Sequence, residues 1–223
     1  MAKLRVAVLA SGRGSNLQSV LDACAKGLVN AEVVAVVSDD PDSQAMQRAR
    51  KAKVPAHGIA PGGKGMRAQH EAEVQRVLDE ARPEIIVLAG YMRVLSPAFC
   101  QAWRGRIVNI HPSLLPAFQG RDGQGDALAH GVKVTGCTTH FVDETVDGGP
   151  IILQAAVLVR DGDTRDTLAD RVLAAEHQLL PRTIDLFQKG RLSLEGRRVR
   201  ILRGDSWRTK LPTLPDVLYG EGY

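Results

Sequence analysis

The sequence predicts an α/β fold, namely a single-domain, doubly wound and mostly parallel sheet with an antiparallel edge and a short C-terminal hairpin. Short aliphatic runs alternate with helical patterns, as in successive βα units. The 223 residues are 44% hydrophobic and 24% charged, which suits one sizeable core. We expect a catalytic domain over residues 1–190, with residues 191–223 forming a hairpin and tail packed on it.

The elements follow in order from these patterns. Gly27 is expected to end the first helix and Pro83 to end the third. The predicted parallel strands are Leu4 to Ala10, Ala31 to Val37, Ile85 to Ala89 and Ile107 to Ile110, and the predicted helices are Asn16 to Ala25, Ser43 to Lys53, Arg67 to Ala81 and Arg165 to Lys189.

The last third of the chain predicts antiparallel structure. Val134 to Val142 and Ile151 to Val159 flank a turn and are expected to pair at one sheet edge. Leu192 to Leu194 and Arg198 to Leu202 predict a short terminal hairpin. The remainder to Tyr223 is too rich in proline and glycine to assign.

Composition excludes several functional classes. The net charge of +4 is modest, and 4% aromatic content leaves few stacking surfaces for bases, so we expect phosphorylated small molecules rather than nucleic acid. The chain has no membrane-spanning run and no signal-peptide pattern, so we expect no membrane partner and a cytoplasmic protein.

Three widely spaced cysteines, Cys24, Cys100 and Cys137, predict free thiols. The basic excess lies late, in Arg197, Arg198, Arg200, Arg203, Arg208 and Lys210.

The predicted strand that ends at Ile110 contains the amide of Asn109 and is followed by an imidazole and two prolines. Pro112 and Pro116 stop the strand, so His111 lies at its carboxyl end, where ligands bind in open α/β sheets. An imidazole beside the amide of Asn109 can exchange a proton and stabilise a developing oxyanion.

Each of these residues also has a structural interpretation. A lone histidine after a strand is more often a hydrogen-bonded structural residue, and Asp147-Gly148-Gly149-Pro150 is an ordinary turn composition. A carboxylate near His111 would, however, favour the charged imidazole. His140 either borders the site or is a structural residue of an edge strand.

The segment from Ser11 to Asn16, which we call the phosphate loop, follows the first strand and opens the first helix. Its backbone N–H groups and the helix dipole favour an anion, and its glycines permit a close approach. Asn16 can cap the helix or donate to the ligand. A plain βα turn and a dinucleotide loop are the alternatives. Leu17 stands where a dinucleotide loop has its third glycine, so the sequence favours a monophosphate.

These motifs together resemble the folate-dependent formyltransferase family. The resemblance rests on Asn109, His111 and Asp147, with Ser113-Leu114-Leu115-Pro116 and the Asp147 turn, and it runs from about Leu4 to Leu192. The phosphate loop is similar to that of members that act on phosphoribosylglycinamide. The resemblance implies a Rossmann-like formyltransferase fold. It also implies transfer of a formyl group from 10-formyltetrahydrofolate to the amine of 5-phosphoribosylglycinamide in de novo purine biosynthesis.

The family also implies roles for individual residues. Glu176 resembles a further substrate contact, although it could equally be a solvated helix residue. On the residues alone, the segment 92–95 would be assigned to the core. The implied substrate contacts are Gly14, Ser15, Asn16 and Glu176, and the implied folate contacts are Arg67, Met92, Arg93, Val94, Leu95 and Asn109.

The implied reaction is direct attack of the substrate amine on the formyl carbon, through a tetrahedral oxyanion. Asn109 donates to that oxygen. His111, kept protonated by Asp147, also donates and passes a proton to the leaving nitrogen. No metal is required. Between Gln119 and Asp126 the chain carries glycine, arginine and aspartate where many members carry histidines.

Three alternatives stay open. A formyltetrahydrofolate hydrolase would use water as the acceptor, and a methionyl-tRNA formyltransferase an aminoacyl amine. Both are disfavoured because further domains are expected in them, whereas the first strand here starts near Leu4 and little follows Gly190. A non-catalytic nucleotide-binding module is the third. The sequence does not decide between a monomer and a homodimer.

Overall fold

The computed structural model describes residues 2–63, 65–204 and 213–220, and it divides into two compact units, residues 1–109 and 110–223. The first unit contains β1 (Leu4–Leu9), α1 (Ser15–Ala25), β2 (Ala31–Ser38), α2 (Gln44–Lys51), β3 (Ala56–Gly58), α3 (Arg67–Ala81), β4 (Ile85–Leu88), α4 (Pro97–Ala102) and most of β5 (Ile107–His111). The second contains the end of β5, α5 (Gly123–Ala129), β6 (Val134–Phe141), β7 (Ile151–Leu158), α6 (Arg165–Gln188), β8 (Leu192–Glu195), β9 (Arg198–Ile201) and β10 (Val217–Tyr219).

The first unit is built on parallel strands in the order β5-β4-β1-β2-β3. The strands are aliphatic because helices cover such sheets on both faces; Val6, Val8 and Leu9 of β1 are fully buried. The carboxyl ends of β1 and β4 meet at one edge, where the N–H of Ser11 donates to the carbonyl of Gly90 at 3.0 Å. This edge carries both of the ligand-binding loops predicted from the sequence.

The second unit is built on antiparallel strands. β6 pairs with β7, with an irregularity in register between Thr139 and His140, and β10 pairs with the other side of β7. β8 and β9 form a separate two-stranded sheet, which is the predicted hairpin. α6 begins at a capping box of Thr164 and Thr167. The α/β class, the mostly parallel strands, the antiparallel pair and the hairpin are confirmed.

Several boundaries differ from the predictions, each for a local reason. The N-cap of α1 is Gly14 and not Asn16, which lies buried in the first turn. α2 starts at Gln44, one residue after the predicted Ser43, because Ser43 is its N-cap and its hydroxyl accepts from Met46 N–H; the helix ends at Lys51 instead of Lys53. β3, α5 and β10 were not predicted. Arg208 and Lys210 of the predicted basic cluster lie outside the described residues.

All three cysteines are free thiols, as predicted. Cys100 and Cys137 are buried and Cys24 is half-buried. Burial raises the pKa of Cys24 to about 11. None of the helices in the described ranges combines the length and the apolar character that crossing a bilayer requires.

Candidate active site

The phosphate loop leaves the carboxyl end of β1 and leads directly into α1. Gly14, where the helix begins, has φ +65, and no side chain caps the helix there. A Cβ on Gly14 would lie 2.6 Å from Cα of Ala45, so the close approach requires glycine as well. The first turn of α1 thus presents its backbone N–H groups and its positive dipole end to the loop. This is the arrangement that the phosphate prediction assumes.

α2 supports the phosphate loop from one side. The N–H of Ala45 donates to the carbonyl of Gly12 at 3.0 Å. The guanidinium of Arg48 donates to the carbonyl of Arg13 at 2.8 Å and to the side-chain oxygen of Gln18 at 3.1 Å. Because these contacts hold loop carbonyls, the loop has a defined shape before any ligand binds.

The 92–95 loop follows β4 at the same edge of the first unit. Met92 and Val94 are 52% and 57% exposed, whereas Leu95 is buried, so the loop presents apolar side chains to solvent. Arg93 pairs with Asp39, with Nε 3.0 Å from Oδ2. The N–H of Met92 donates to the hydroxyl of Ser11 at 2.8 Å. The backbone N–H of Met92 therefore already has a hydrogen-bond acceptor within the protein.

α3 holds both ends of the 92–95 loop. Nε2 of His70 lies 2.6 Å from the phenol oxygen of Tyr91, and burial raises the pKa of Tyr91. Glu71 accepts from the N–H and the hydroxyl of Ser96 at 2.7 and 2.5 Å. Arg67, predicted to contact folate, is the exposed first residue of this helix.

In the second unit, His111 ends β5 with both ring nitrogens facing acceptors. Nε2 lies 2.9 Å from the carbonyl of Phe118, and Nδ1 lies 3.5 Å from Oδ2 of Asp147. A carbonyl oxygen can only accept, so Nε2 carries a proton. Protonation of Nδ1 gives an imidazolium with an acceptor on each side. The predicted pair of His111 and Asp147 is therefore brought together.

Asp147 is held in a tight turn. Its own φ is +51, a conformation that non-glycine residues seldom adopt, and its Oδ2 accepts from the N–H of Gly120 at 3.0 Å. The side-chain amide of Gln119 donates to its carbonyl at 3.1 Å. A Cβ on Gly149 would lie 1.9 Å from the carbonyl oxygen of Phe141, so the turn packs directly on the end of β6. The carboxylate is thereby fixed against His111.

His140 is a second imidazole beside Asp147. Its Nε2 lies 3.9 Å from Oδ1 of Asp147, and its Nδ1 lies 2.9 Å from the carbonyl of Phe141, so Nδ1 carries a proton. Burial lowers the pKa of His140, although the carbonyl of Phe141 and the charge of Asp147 oppose this effect. His140 is therefore neutral at pH 7, and the negative charge of Asp147 is opposed by one imidazolium at most.

The remaining predicted residues lie on separate elements. Asn109 precedes His111 by two positions in β5, so strand alternation directs both side chains to the same face. Glu176 of α6 is buried, which excludes the solvated-helix interpretation. Burial, and next the charge of Glu176, raise the pKa of Cys137 on β6.

The contacts of Phe118, Gln119 and Gly120 were not predicted from the sequence. All three lie in the segment that joins β5 to α5, and they act through backbone groups or an amide. The available signal was the departure of residues 119–126 from the family pattern, which includes Gln119 and Gly120 but not Phe118 and does not assign contacts.

Comparisons with known proteins identify the family of this chain. The family model described as formyl transferase matches residues 4–184. The chain belongs to the formyl transferase family. Phosphoribosylglycinamide formyltransferase of Escherichia coli (strain K12) is 41% identical over 191 residues, which cover 86% of this chain and 90% of that protein.

Two further relatives show how the chain compares with larger and solved proteins. The trifunctional purine biosynthetic protein adenosine-3 of Gallus gallus is 45% identical over 188 residues, 84% of this chain but 19% of that protein. This chain thus spans about a fifth of its length. The crystal structure of glycinamide ribonucleotide transformylase 1 from Symbiobacterium toebii superposes with a TM-score of 0.87 at 49% identity, covering 90% of this chain and 95% of that one.

A solved formyltetrahydrofolate deformylase has a similar structure but a more distant sequence. The protein, from Pseudomonas syringae pv. tomato, has a TM-score of 0.85 at 26% identity and covers 90% of this chain and 66% of its own. The fold alone therefore does not separate amine formylation from hydrolysis.

Proposed function

We propose that this chain transfers the formyl group of 10-formyltetrahydrofolate to the amine of 5-phosphoribosylglycinamide, a step of de novo purine biosynthesis. The observation that carries the proposal is the buried His111, which lies between the carboxylate of Asp147 and the carbonyl of Phe118 at the end of β5. Membership of the formyl transferase family supports the proposal, and an imidazole paired with a carboxylate can donate to a developing oxyanion and pass on a proton.

His111 acts through Nε2 in this proposal. Nδ1 faces Asp147 at 3.5 Å, so Nε2 is the nitrogen that can reach a substrate. Its N–H donates to the carbonyl of Phe118, and it must exchange that acceptor for the formyl oxygen. Asp147 stabilises the charged ring during the exchange. The bond between the formyl carbon and the folate nitrogen then breaks as the Nε2 proton passes to that nitrogen, and the proton lost by the attacking amine restores the imidazolium of His111.

Asn109 supplies the second donor. Its side-chain amide shares a face of β5 with His111 and can donate to the same oxygen as negative charge develops. A neutral donor and a charged donor together stabilise that oxygen without a covalent enzyme intermediate. We propose no metal in this step, since the two donors supply the charge stabilisation.

The phosphate of the substrate binds the phosphate loop in this proposal. Gly14 lets the backbone turn, the N–H groups at the start of α1 donate, and Ser15 and Asn16 add polar side chains. Glu176, a buried carboxylate on α6, is proposed to contact the polar part of the same substrate.

The folate fits the 92–95 loop. Exposed Met92 and Val94 with buried Leu95 offer an apolar surface for a flat heterocycle, and the exposed Arg67 can meet a carboxylate of the folate. When bound, the folate supplies the activated formyl carbon. The protein holds it beside the reacting side chains.

Both ligands of the proposed reaction are small molecules. We propose that the protein acts in the cytoplasm with these two substrates, without nucleic acid or membrane partners. Either a monomer or a homodimer is compatible with the proposed chemistry.

Hydrolysis of 10-formyltetrahydrofolate is the second candidate, because the deformylase from Pseudomonas syringae has a similar structure. It requires the same oxyanion donors but no phosphate site. The phosphate loop, with its obligatory glycine packed on α2, favours formylation of a phosphorylated amine. A nucleotide-binding module without activity would not need His111 beside Asp147.

One assay separates these candidates. Purified protein is incubated with 10-formyltetrahydrofolate, with and without phosphoribosylglycinamide and without added metal, and the products are measured by mass spectrometry. We expect the formylated amine, and little formate when the amine is absent. His111→Ala should lose this activity, whereas His57→Ala, which removes an imidazole from β3, should keep it. Formate as the main product would establish the hydrolase, and no product at all would refute both enzymes.

A further inference from the structure

Ser11 connects the two loops of the first unit through both of its hydrogen-bonding groups. Its N–H donates to the carbonyl of Gly90 at 3.0 Å, and its hydroxyl accepts from the N–H of Met92 at 2.8 Å. Ser11 is the first residue of the phosphate loop, and Met92 is the first residue of the 92–95 loop. Ser11 of the phosphate loop is therefore hydrogen-bonded to the residues on both sides of Tyr91, where the 92–95 loop begins.

Each loop is also held by a helix. The phosphate loop is held by α2, where Ala45 N–H donates to the carbonyl of Gly12, the neighbour of Ser11, at 3.0 Å. The 92–95 loop is held at its far end by Glu71 of α3, which accepts two bonds from Ser96 at 2.7 and 2.5 Å. Because these supports limit how each loop can move, Ser11 is the point at which a change in one loop reaches the other.

The hydroxyl of Ser11 is important because it is the acceptor for the backbone N–H of Met92. An N–H group near the protein surface needs an acceptor, either a protein atom or water. With the Ser11 hydroxyl as acceptor, the backbone at Met92 has one orientation. Without it, water can accept the bond and the loop can take other conformations, of which only some fit a ligand.

We infer that Ser11 is a positioning residue that couples occupancy of the phosphate loop to binding of the folate on the 92–95 loop. This inference rests on the proposed function, since it uses that assignment of ligands. A phosphate bound at Gly14 to Asn16 holds the loop that begins at Ser11, and the hydroxyl then holds Met92 for the folate. Linkage requires the effect to be reciprocal, so folate binding strengthens phosphate binding by the same factor.

The coupling can be measured in a complex that cannot react. Tetrahydrofolate carries no formyl group, so its dissociation constant can be determined with and without saturating phosphoribosylglycinamide. In the wild type, we expect phosphoribosylglycinamide to strengthen tetrahydrofolate binding by about fivefold or more, the lower end of typical couplings. In Ser11→Ala, the two dissociation constants should agree within about twofold. Its KM for the formyl donor should rise while kcat changes little, because the reacting residues are untouched.

Two more variants test the route of the coupling. Ser11→Cys keeps nearly the same volume but offers a weak acceptor, so it should also lose coupling, and it replaces the alanine variant if that protein does not fold. Ser96→Ala is the matched control. It loosens the far end of the 92–95 loop, so it should weaken tetrahydrofolate binding under both conditions and keep the wild-type ratio.

The outcomes separate the inference from the function on which it rests. A wild type that forms no formylated amine overturns the proposed function and the inference together. A wild type that is active but binds tetrahydrofolate equally with and without phosphoribosylglycinamide overturns the inference alone. So does a folded Ser11→Ala or Ser11→Cys that keeps the wild-type ratio, or a Ser96→Ala that abolishes it.

Discussion

The charge of Asp147 offers the sharpest test of the proposed chemistry. In Asp147→Asn, the side chain keeps its shape and an oxygen that can accept from Gly120 N–H, but it loses its charge 3.5 Å from Nδ1 of His111. At this distance, two unit charges attract by about 5 kcal/mol at an effective dielectric constant near 20 and by about 1 kcal/mol in water. The two side chains are only 5% and 13% exposed, which favours the larger value.

This attraction sets the expected loss of activity. Each 1.36 kcal/mol corresponds to about tenfold in rate, so the two limits correspond to roughly fivefold and several thousandfold. We expect kcat of Asp147→Asn to fall by about 10² to 10³, with a small change in KM for phosphoribosylglycinamide. The assay is steady-state formylation at saturating concentrations of both substrates.

Asp143→Asn is the matched control for Asp147→Asn. It removes the same charge four residues earlier and keeps an oxygen that can accept from Thr145 N–H, as Asp143 does at 2.9 Å. We expect less than a threefold change in kcat. If Asp147→Asn kept more than a third of the wild-type kcat, or if Asp143→Asn lost as much, the assignment of Asp147 would be refuted.

Three further predictions follow from the site and its supports. Asn109→Ala should lower kcat by about 10² to 10³, the usual effect of removing one oxyanion donor, and a loss below about fivefold in steady-state kinetics would contradict its role. Gly14→Ala should lower the free energy of unfolding by about 1 to 3 kcal/mol, because its Cβ would meet Ala45 and φ is +65. Gly12→Ala, whose Cβ would meet nothing within 4 Å, should change it by less than about 0.5 kcal/mol, and equal urea midpoints for the two variants would refute this reasoning. The lowered pKa of His140 implies that the unfolded chain takes up a proton before the folded protein does, so stability should fall as pH decreases below about 6.5. His140→Asn should show a smaller fall between pH 7 and pH 5 in urea unfolding, and an unchanged fall would contradict the assignment.

Much of the fold could be predicted because burial on both faces leaves a clear signal in the sequence. The four predicted parallel strands, β1, β2, β4 and β5, are mainly aliphatic, and α3 has the predicted bounds of Arg67 and Ala81. The missed elements lack such a signal. β3 has three residues, and β10 has three residues that are held by pairing with β7.

α5 shows how a tertiary contact can override local composition. Its sequence begins Gly-Gln-Gly, which is typical of a loop. The helix forms because Asp122 caps it by accepting from Gly125 N–H at 3.1 Å, and Arg165 of α6 holds the same carboxylate at 3.0 Å. The sequence contains both residues but does not indicate that they meet.

The candidate site divides in the same way. Asn109, His111 and Asp147 could be proposed from the sequence because their side chains can carry the chemistry. The hydrogen-bond partner of His111 Nε2 could not be predicted, because it is the backbone carbonyl of Phe118 and every residue has such a group. The bond between the Ser11 hydroxyl and Met92 N–H is hidden for the same reason, since one of its two groups is main chain.

In the proposed reaction, the carbonyl of Phe118 affects how strongly the site favours the transition state over the ground state. A substrate formyl oxygen is itself a carbonyl, so replacing Phe118 as the acceptor exchanges one neutral-acceptor bond for a similar one and adds little to substrate affinity. Once that oxygen becomes anionic, the same N–H makes a charge-assisted bond of roughly twice the strength. The Phe118 carbonyl thus offsets the hydrogen-bond energy that would only tighten substrate binding. The extra energy of the charge-assisted bond remains, and it lowers the barrier to the reaction.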